Sequence, residues 1–362
     1  MADSASDDLL GKNIPGKKKN WEVVERVKVK PGETPGFFSY TYKVRGEDGE
    51  RAFLKASDIG MKNLQGMDFV DRLAMITQGH RFERQILDHT KGSNMDRIVV
   101  ALDYGDFEVE FAGLRDRVFY IIFELAESDL RVIQRKDTNF SYLWSLVALQ
   151  NFFLGINQLH TGRICHNDFK PANCLIFDQE MQKVADLGRA TADVLVAPHS
   201  GLCVGDRRYA APEQLYGSDR VTDQMSEYDR FRAGDLYSLG SVVHYFLAHR
   251  MVTPEVINSL DHQFKPKDFF GGWQDSYTTV LPYWRVEFDG LLVRTTSMHA
   301  TTTGREAEIR QGLLRMVKEL CEPDPRLRGH PKNRQGQQDK FGLERYIAEL
   351  DLLARKARIA GI

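Results

Sequence analysis

His166-Asn167-Asp168-Phe169-Lys170-Pro171-Ala172-Asn173 is the stretch on which the reading of this chain turns. An acid and an amide five residues apart can serve two tasks at one centre. The carboxylate of Asp168 accepts a proton from an attacking hydroxyl, and the amide oxygen of Asn173 ligates a hard cation. Lys170 lies between them and can neutralise charge on a transferring anion. After Asn173 comes a hydrophobic run, Cys174-Leu175-Ile176-Phe177, then a polar turn at Asp178-Gln179-Glu180 and a second strand at Lys183-Val184-Ala185. A hairpin over these residues returns Asp186 to the side of Asn173, which pairs two oxygen ligands.

Working outward, the chain changes character near Glu124. Before it, strand-like segments dominate: 21–29, 37–44, 51–55, 98–102 and 118–123, with a turn at 45–50 and one helix near Phe69 to His89. After it, Leu143, Leu146, Leu149, Phe153, Ile156 and Leu159 recur at three- and four-residue steps and make one apolar helical face. Further helices are expected near 234–249, 305–321 and 342–357, the last preceded by a loop from Gly329 to Lys340. No internal repeat is visible.

Composition narrows the function. The 362 residues are 42% hydrophobic and 28% charged, ordinary for a globular protein. A net charge of -2 gives no global pull toward nucleic acid or an anionic membrane. No stretch approaches the ~18 uncharged apolar residues of a membrane span, and the acidic start is not a signal peptide. The expectation is a cytoplasmic protein with neither nucleic acid nor membrane as partner. The four cysteines, Cys165, Cys174, Cys203 and Cys321, show no metal or disulfide spacing, so Cys165 and Cys174 are read as buried small hydrophobes. The run Lys17-Lys18-Lys19 reads as a solvated tail.

The stretch 166–173 resembles the protein-kinase catalytic loop H-R-D-L-K-P-x-N, with Asn167 for Arg and Phe169 for Leu. The likeness extends in order along residues 36–328. Asp186-Leu187-Gly188 resembles D-F-G, and Ala211-Pro212-Glu213 matches A-P-E. Asp235-Leu236-Tyr237-Ser238-Leu239-Gly240 resembles D-x-W-S-x-G, and Asp324-Pro325-Arg326-Leu327-Arg328 resembles D-P-x-x-R. Alone, each short motif has a bland reading as a turn or a solvated side chain; their order argues against coincidence. The chain thus resembles the eukaryotic-like serine/threonine protein kinases, as a divergent member without Arg before the loop aspartate.

That resemblance implies an α+β, bilobal fold: a small antiparallel β-rich N-lobe with one main helix, and a larger, mainly helical C-lobe. The implied organisation is a disordered tail at 1–20, an N-lobe with hinge at 21–126, a C-lobe at 127–330, and a C-terminal loop and helix at 331–362. ATP and Mg2+ are the implied cofactors, with a protein Ser/Thr hydroxyl as acceptor and an activating partner protein in view. Asp168 is the implied base, Lys170 assists it, and Asn173 and Asp186 hold the metal. Lys55 is the implied phosphate lysine and Glu83 its ion-pair partner. Phe123-Glu124-Leu125-Ala126 resembles the hinge of cyclin-dependent kinases: Phe123 as gatekeeper, Glu124 and Ala126 meeting adenine through the backbone, Asp129 reaching ribose and Leu175 flooring the base. Glu213 and Arg328 would form a buried pair, and Asp235 would brace the catalytic loop.

Departures from the pattern are local. Of the G-x-G-x-x-G loop only Gly36 remains, with Thr34 and Ser39 at the other glycine positions. Phe53, two before Lys55, shares its strand face and must stack on the base or crowd it. Asp206 stands where these kinases usually carry Thr; its carboxylate could pair with Lys170 and would tend to raise the pKa of Asp168. The second functional reading is a pseudokinase acting as a nucleotide-binding scaffold, and the third a small-molecule phosphotransferase. Lys170 in D-x-K-P-x-N favours Ser/Thr over Tyr as acceptor. Asn167 cannot bind an activation-segment phosphate, so the segment is expected to order without one or through a partner.

Overall fold

The structure, a computed structural model, describes residues 2–27, 39–60, 66–132, 141–178, 181–193, 195, 204–216, 225–335 and 339–362. The chain divides into two compact units, Met1–Glu127 and Ser128–Ile362. The fold is α+β, strand-rich in the first unit and helical in the second.

In the first unit, β1 (Asn13–Ile14), β2 (Trp21–Arg26), β3 (Tyr40–Gly46), β4 (Arg51–Ser57), β5 (Ala101–Phe111) and β6 (Leu114–Glu124) form one antiparallel sheet in the order β1-β2-β3-β4-β6-β5. Alternation decides the faces. Along β4, Ala52, Leu54 and Ala56 are buried while Phe53, Lys55 and Ser57 are half-buried on the other side. Trp21, Val23, Tyr42 and Val44 join them in the core. The β3–β4 turn uses Gly49 at φ 84, and the β5–β6 turn places both Ala112 and Gly113 at positive φ, as a two-residue hairpin requires. Strand β5 runs to Phe111, well past the expected end at 102. Its outer half is polar because Asp106 and Glu108 face Arg117 across the hairpin at 2.6 and 2.9 Å, pairing that hydropathy does not register. Helix α1 (Phe69–Gly92) starts at an Asp68 cap whose carboxylate accepts from Asp71 N–H.

Residues 2–20, expected as a disordered tail, are built into the first unit. Ala5, Leu9 and Ile14 are fully buried in the sheet's core, and β1 pairs with β2. Three apolar residues cannot make a core of their own, but they complete one that the sheet leaves open. Lys19 likewise is no solvated tail residue: it pairs with Asp48 and Glu50 and lies over the Trp21 ring.

In the second unit, β7 (Ser128–Asp129) leads to α2 (Tyr142–Thr161), whose predicted apolar residues from Leu146 to Leu159 are buried. Next come β8 (Ile164–Cys165), β9 (Cys174–Ile176), β10 (Gln182–Val184) and β11 (Thr191–Ala192). The remaining elements are α3 (Glu227–Ala248), α4 (Val252–Ser259), α5 (Tyr277–Met298), α6 (Gly304–Leu320), the single turn α7 (Pro331–Arg334) and α8 (Glu344–Ala360). Helix α3 lies close on α6 because Gly240 has no side chain; a Cβ there would meet Cys321 Sγ at 2.7 Å. Helix α8, expected as part of a separate C-terminal segment, packs on α2, with Phe153 and Tyr346 rings 6.1 Å apart. Among the described residues, no helix is long and apolar enough to cross a membrane.

Candidate active site

Strand β8 ends at Cys165, and the loop His166–Asn173 that follows closes in a 3-10 turn over Pro171–Asn173. Asp235, fully buried on α3, sets the loop's course: it accepts from the backbone N–H groups of His166 and Asn167, each at 2.8 Å, and lies 2.9 Å from His160 Nε2. His160, Cys165 and Asp235 come together, but the carboxylate is committed to this bracing. His166 accepts the Asp168 N–H at Nδ1, so Nε2 carries the proton donated to the Ala185 carbonyl at 2.9 Å. Phe169, which stands where the kinase loop it resembles has Leu, is buried against the His166 and Phe152 rings.

Asp168 is held from two sides. Lys170 Nζ donates to Oδ2 at 2.7 Å, and the Asp206 backbone N–H donates to Oδ1 at 2.8 Å. Burial raises its carboxyl above the usual range; Lys170 pulls it down, and the charge of Asp186 pushes it up again. The expected effect of the Asp206 carboxylate is not the cause. That carboxylate is turned to Arg208, which donates from Nε at 3.0 Å and Nη2 at 2.6 Å, and it stands 3.8 Å from Lys170. What Asp206 offers Asp168 is its backbone N–H, which favours the ionised form.

Gly205 is a site residue that the motif reading passed over. A Cβ there would collide with the Asn167 carbonyl oxygen and sit 2.9 Å from Asp168 Oδ1. Only glycine lets the segment after 204 approach closely enough for the Asp206 N–H to reach Asp168. The signal was present in Gly205-Asp206, but which chain it approaches is not local information.

The hairpin forms as the sequence predicts: β9 and β10 pair with Cys174 opposite Val184, and Ala185 N–H donates to the Asn173 carbonyl at 3.0 Å. Asp186 therefore follows directly beside Asn173, at φ 64, a left-handed conformation costly for a non-glycine residue and typical of functional positions. Asn173 Nδ2 donates to the Asp168 carbonyl at 2.8 Å, which leaves the amide oxygen as the atom suited to a cation.

Asn167, also left-handed at φ 63, sends its amide to the Arg189 carbonyl and the Thr191 hydroxyl, both at 3.1 Å. The segment's first turns are thereby tied to the loop by a neutral side chain. Strand β11 adds pairing of Thr191 with Cys165 on β8. Cys165 and Cys174 are buried thiols whose pKa values burial pushes well up, so they are inert as nucleophiles; Cys203 lies outside the described residues.

In the first unit, Lys55 on β4 meets Glu83 on α1, with Nζ 2.9 and 3.1 Å from the two carboxylate oxygens. Phe53 shares the face of Lys55 and stands opposite Phe123 on β6. Glu124 closes β6, its Oε1 accepting from Val100 N–H at 2.8 Å, with Ala126 two residues on. Ser39 precedes β3 and is half-buried, whereas Gly36 lies outside the described residues. In the second unit, Asp129 and Leu175 are directly opposed in the β7–β9 pairing, so two of the implied nucleotide residues are neighbours. Asp129 is also gripped by Arg131, from Nε and Nη2 at 3.0 Å each.

The implied buried pair is formed. Arg328, with no exposed surface, donates from Nη1 to Glu213 Oε1 at 2.7 Å and from Nη2 to Oε2 at 2.9 Å. Nε reaches the Glu322 carbonyl and Nη1 the Ala233 carbonyl. Burial is the largest single influence and lowers its pKa, but the Glu213 charge and hydrogen bonds, with the nearby Tyr277 and Tyr237, together outweigh it and hold the guanidinium protonated.

Residues 74–337 match the family model of the protein kinase domain. The chain belongs to the protein kinase domain family. The match begins inside α1, so Lys55 and β1 to β4 lie ahead of it. The chain is similar to the serine/threonine-protein kinase SSN3 of Mycosarcoma maydis, 32% identical over 153 residues, 38% of this chain and 19% of that protein. It is 30% identical over 142 residues to the serine/threonine-protein kinase PknA of Mycobacterium tuberculosis, 39% of this chain and 30% of that one. With extracellular signal-regulated kinase 2 of Dictyostelium discoideum it shares 27% over 154 residues, 40% of this chain and 39% of the relative. These matches span well under half of each relative's length.

Proposed function

We propose that this kinase-family chain is an active serine/threonine protein kinase that transfers the γ-phosphate of ATP to a protein hydroxyl. The observation that carries the reading is the hold on Asp168: a buried carboxylate fixed by Lys170 and the Asp206 N–H, beside Asn173 and Asp186. Asp168 takes the proton as the hydroxyl oxygen attacks phosphorus; the new O–P bond forms as the bond to the ADP oxygen breaks. Its raised pKa makes it a better proton acceptor near neutrality than an ordinary aspartate. Lys170 stands ready to stabilise charge that builds on the transferring group.

The donor set fits a hard cation: an Asn173 oxygen oriented by its own Nδ2 bond, and Asp186 set next to it by the hairpin. Magnesium bound there would neutralise phosphate charge and orient the nucleotide. Lys55, aimed by Glu83, is the phosphate-binding cation of the first unit. Ser/Thr as acceptor is supported by Lys170 and by the serine/threonine-protein kinases among its relatives. The purified chain, given labelled ATP and magnesium with a mixed protein substrate, should label protein. Nucleotide binding without any transfer would instead support the scaffold reading, and transfer only to small molecules the third.

Phe53 is expected to stack on the base, since it shares the Lys55 face and is flanked by Phe123. Phe53→Ala should then weaken ATP binding by ~1–3 kcal/mol in a nucleotide titration. Tighter binding would show that the ring crowds the base.

Because Asn167 already ties the segment through Arg189 and Thr191, ordering needs no phosphate there. Phosphatase treatment, or Ser200→Ala, should leave transfer nearly intact, whereas Thr191→Ala would also remove the hydroxyl that Asn167 holds; Ser200 lies outside the described residues. Abolished transfer with an unchanged melting temperature would point to a phosphate received by one of the nearby arginines.

A further inference from the structure

The kinase match starts at residue 74, yet the N-terminal segment ahead of it is built into the first unit. Two of its polar contacts converge on one residue. Asp58, fully buried just after β4, accepts from Ser4 Oγ at 2.8 Å and from the Ser6 N–H. Its other oxygen accepts from Gly60 N–H at 2.6 Å, fixing the chain as it leaves β4. Ser6 is held from the far side by the Tyr42 hydroxyl, which donates to its carbonyl at 2.8 Å. Asp7 pairs with Arg26 and accepts Asp3 N–H, so the segment is pinned along its length.

The same junction grips α1. Arg72, in the first turn of that helix, donates from Nη1 to the Ile59 carbonyl at 3.3 Å. Ile76, one turn on, packs against Tyr40 and Phe119 of the sheet. A closed circuit results. Lys55 lies three residues before Asp58; Ile59 is bonded to Arg72; Arg72 lies eleven residues, about three turns, before Glu83; and Glu83 returns to Lys55. A buried carboxylate that accepts three hydrogen bonds has little freedom to shift, because each unmade bond would carry the full desolvation cost.

We infer that the N-terminal segment Ala2–Ile14 is a built-in positioning element that, through Asp58, sets α1 so that Glu83 meets Lys55. The inference rests on the phosphate role proposed for Lys55, and Asp58 acts through that pair without touching substrate. A merely structural Asp58 would stabilise the first unit as a whole. A positioning Asp58 has a directional effect, on α1 and on turnover.

The test uses the full chain carrying Asp58→Ala, Ser4→Ala or Arg72→Ala. Hydrogen exchange by mass spectrometry should show α1 amides around Phe82–Leu87 losing protection while the β5–β6 hairpin keeps it. kcat should fall about 10- to 100-fold, as expected for a displaced catalytic group, with KM for ATP changed less than kcat. Asp58→Ala and Arg72→Ala together should cost less than the sum of the two, since they open one circuit. Should Asp58→Ala fail to fold, Ser4→Ala and Arg72→Ala carry the comparison. Uniform loss of protection across the unit, or a lower melting temperature with unchanged kcat, overturns the inference. Absence of transfer in the wild-type chain would count against the kinase reading alone, because the exchange pattern needs no activity.

Discussion

Asp168→Asn should lower phosphoryl transfer by ~10²–10⁴-fold while ATP still binds. The substitution keeps the shape of the side chain and its place between Lys170 and the Asp206 N–H. What it removes is the capacity to take a proton. Asp186→Asn should behave differently: if Asp186 holds the metal as proposed, its loss weakens magnesium-dependent nucleotide binding. The contrast separates base from ligand in one pair of titrations and rate measurements. pH offers a second check. Burial and then Asp186 hold the Asp168 carboxyl above the usual range, against the pull of Lys170. The base works only when ionised, so activity should fall as pH drops through that raised pKa, and the acid limb should lie higher than for an ordinary aspartate. Asp168→Asn should remove that limb from whatever activity remains. Full activity in the variant would take the role from Asp168.

Arg328→Ala should destabilise the second unit by ~3–5 kcal/mol, the cost of leaving one partner of a buried pair alone. Glu213 would remain buried with no fork to meet it, and the Glu322 and Ala233 carbonyls would each lose a donor. Arg328→Lys should rescue little, since an ammonium cannot make the two-point contact. Glu213→Leu with Arg328→Met should cost less than either single truncation, because no charge is then stranded. Denaturant unfolding reads all of these. Glu213 follows Gly205 and Asp206 closely in the chain, so transfer measured at low temperature should also drop in Arg328→Ala as their contact with Asp168 loosens. A double variant less stable than Arg328→Ala would show that the pair is not the source of the effect.

What the sequence by itself determined is local or periodic. The loop from His166 to Asn173 carries the family motif within eight residues. The hairpin that brings Asp186 to Asn173 follows from two short apolar runs and a polar turn, and the faces of β4 and α2 follow from periods of 2 and 3.6. Lys55 and Glu83 are named from the kinase resemblance, and the structure brings the two side chains together. Only the tertiary structure decided which distant chain each polar group meets. Asp206 lies 38 residues from Asp168, and its backbone, not its carboxylate, makes the contact, because Gly205 permits the approach and Arg208 takes the charge. Asn167 replaces an arginine in the motif, and only the path of β11 shows that it binds Thr191. The first twenty residues look like a solvated tail because they are polar and Gly/Lys-rich, with too few apolar side chains to bury one another. They pack on the first unit because a sheet formed by residues later in the chain leaves room for Ala5, Leu9 and Ile14, and Asp58, 54 positions after Ser4, supplies the matching acceptor. Burial and hydrogen-bond partners belong to the assembled surface, and no window of sequence contains both sides of it.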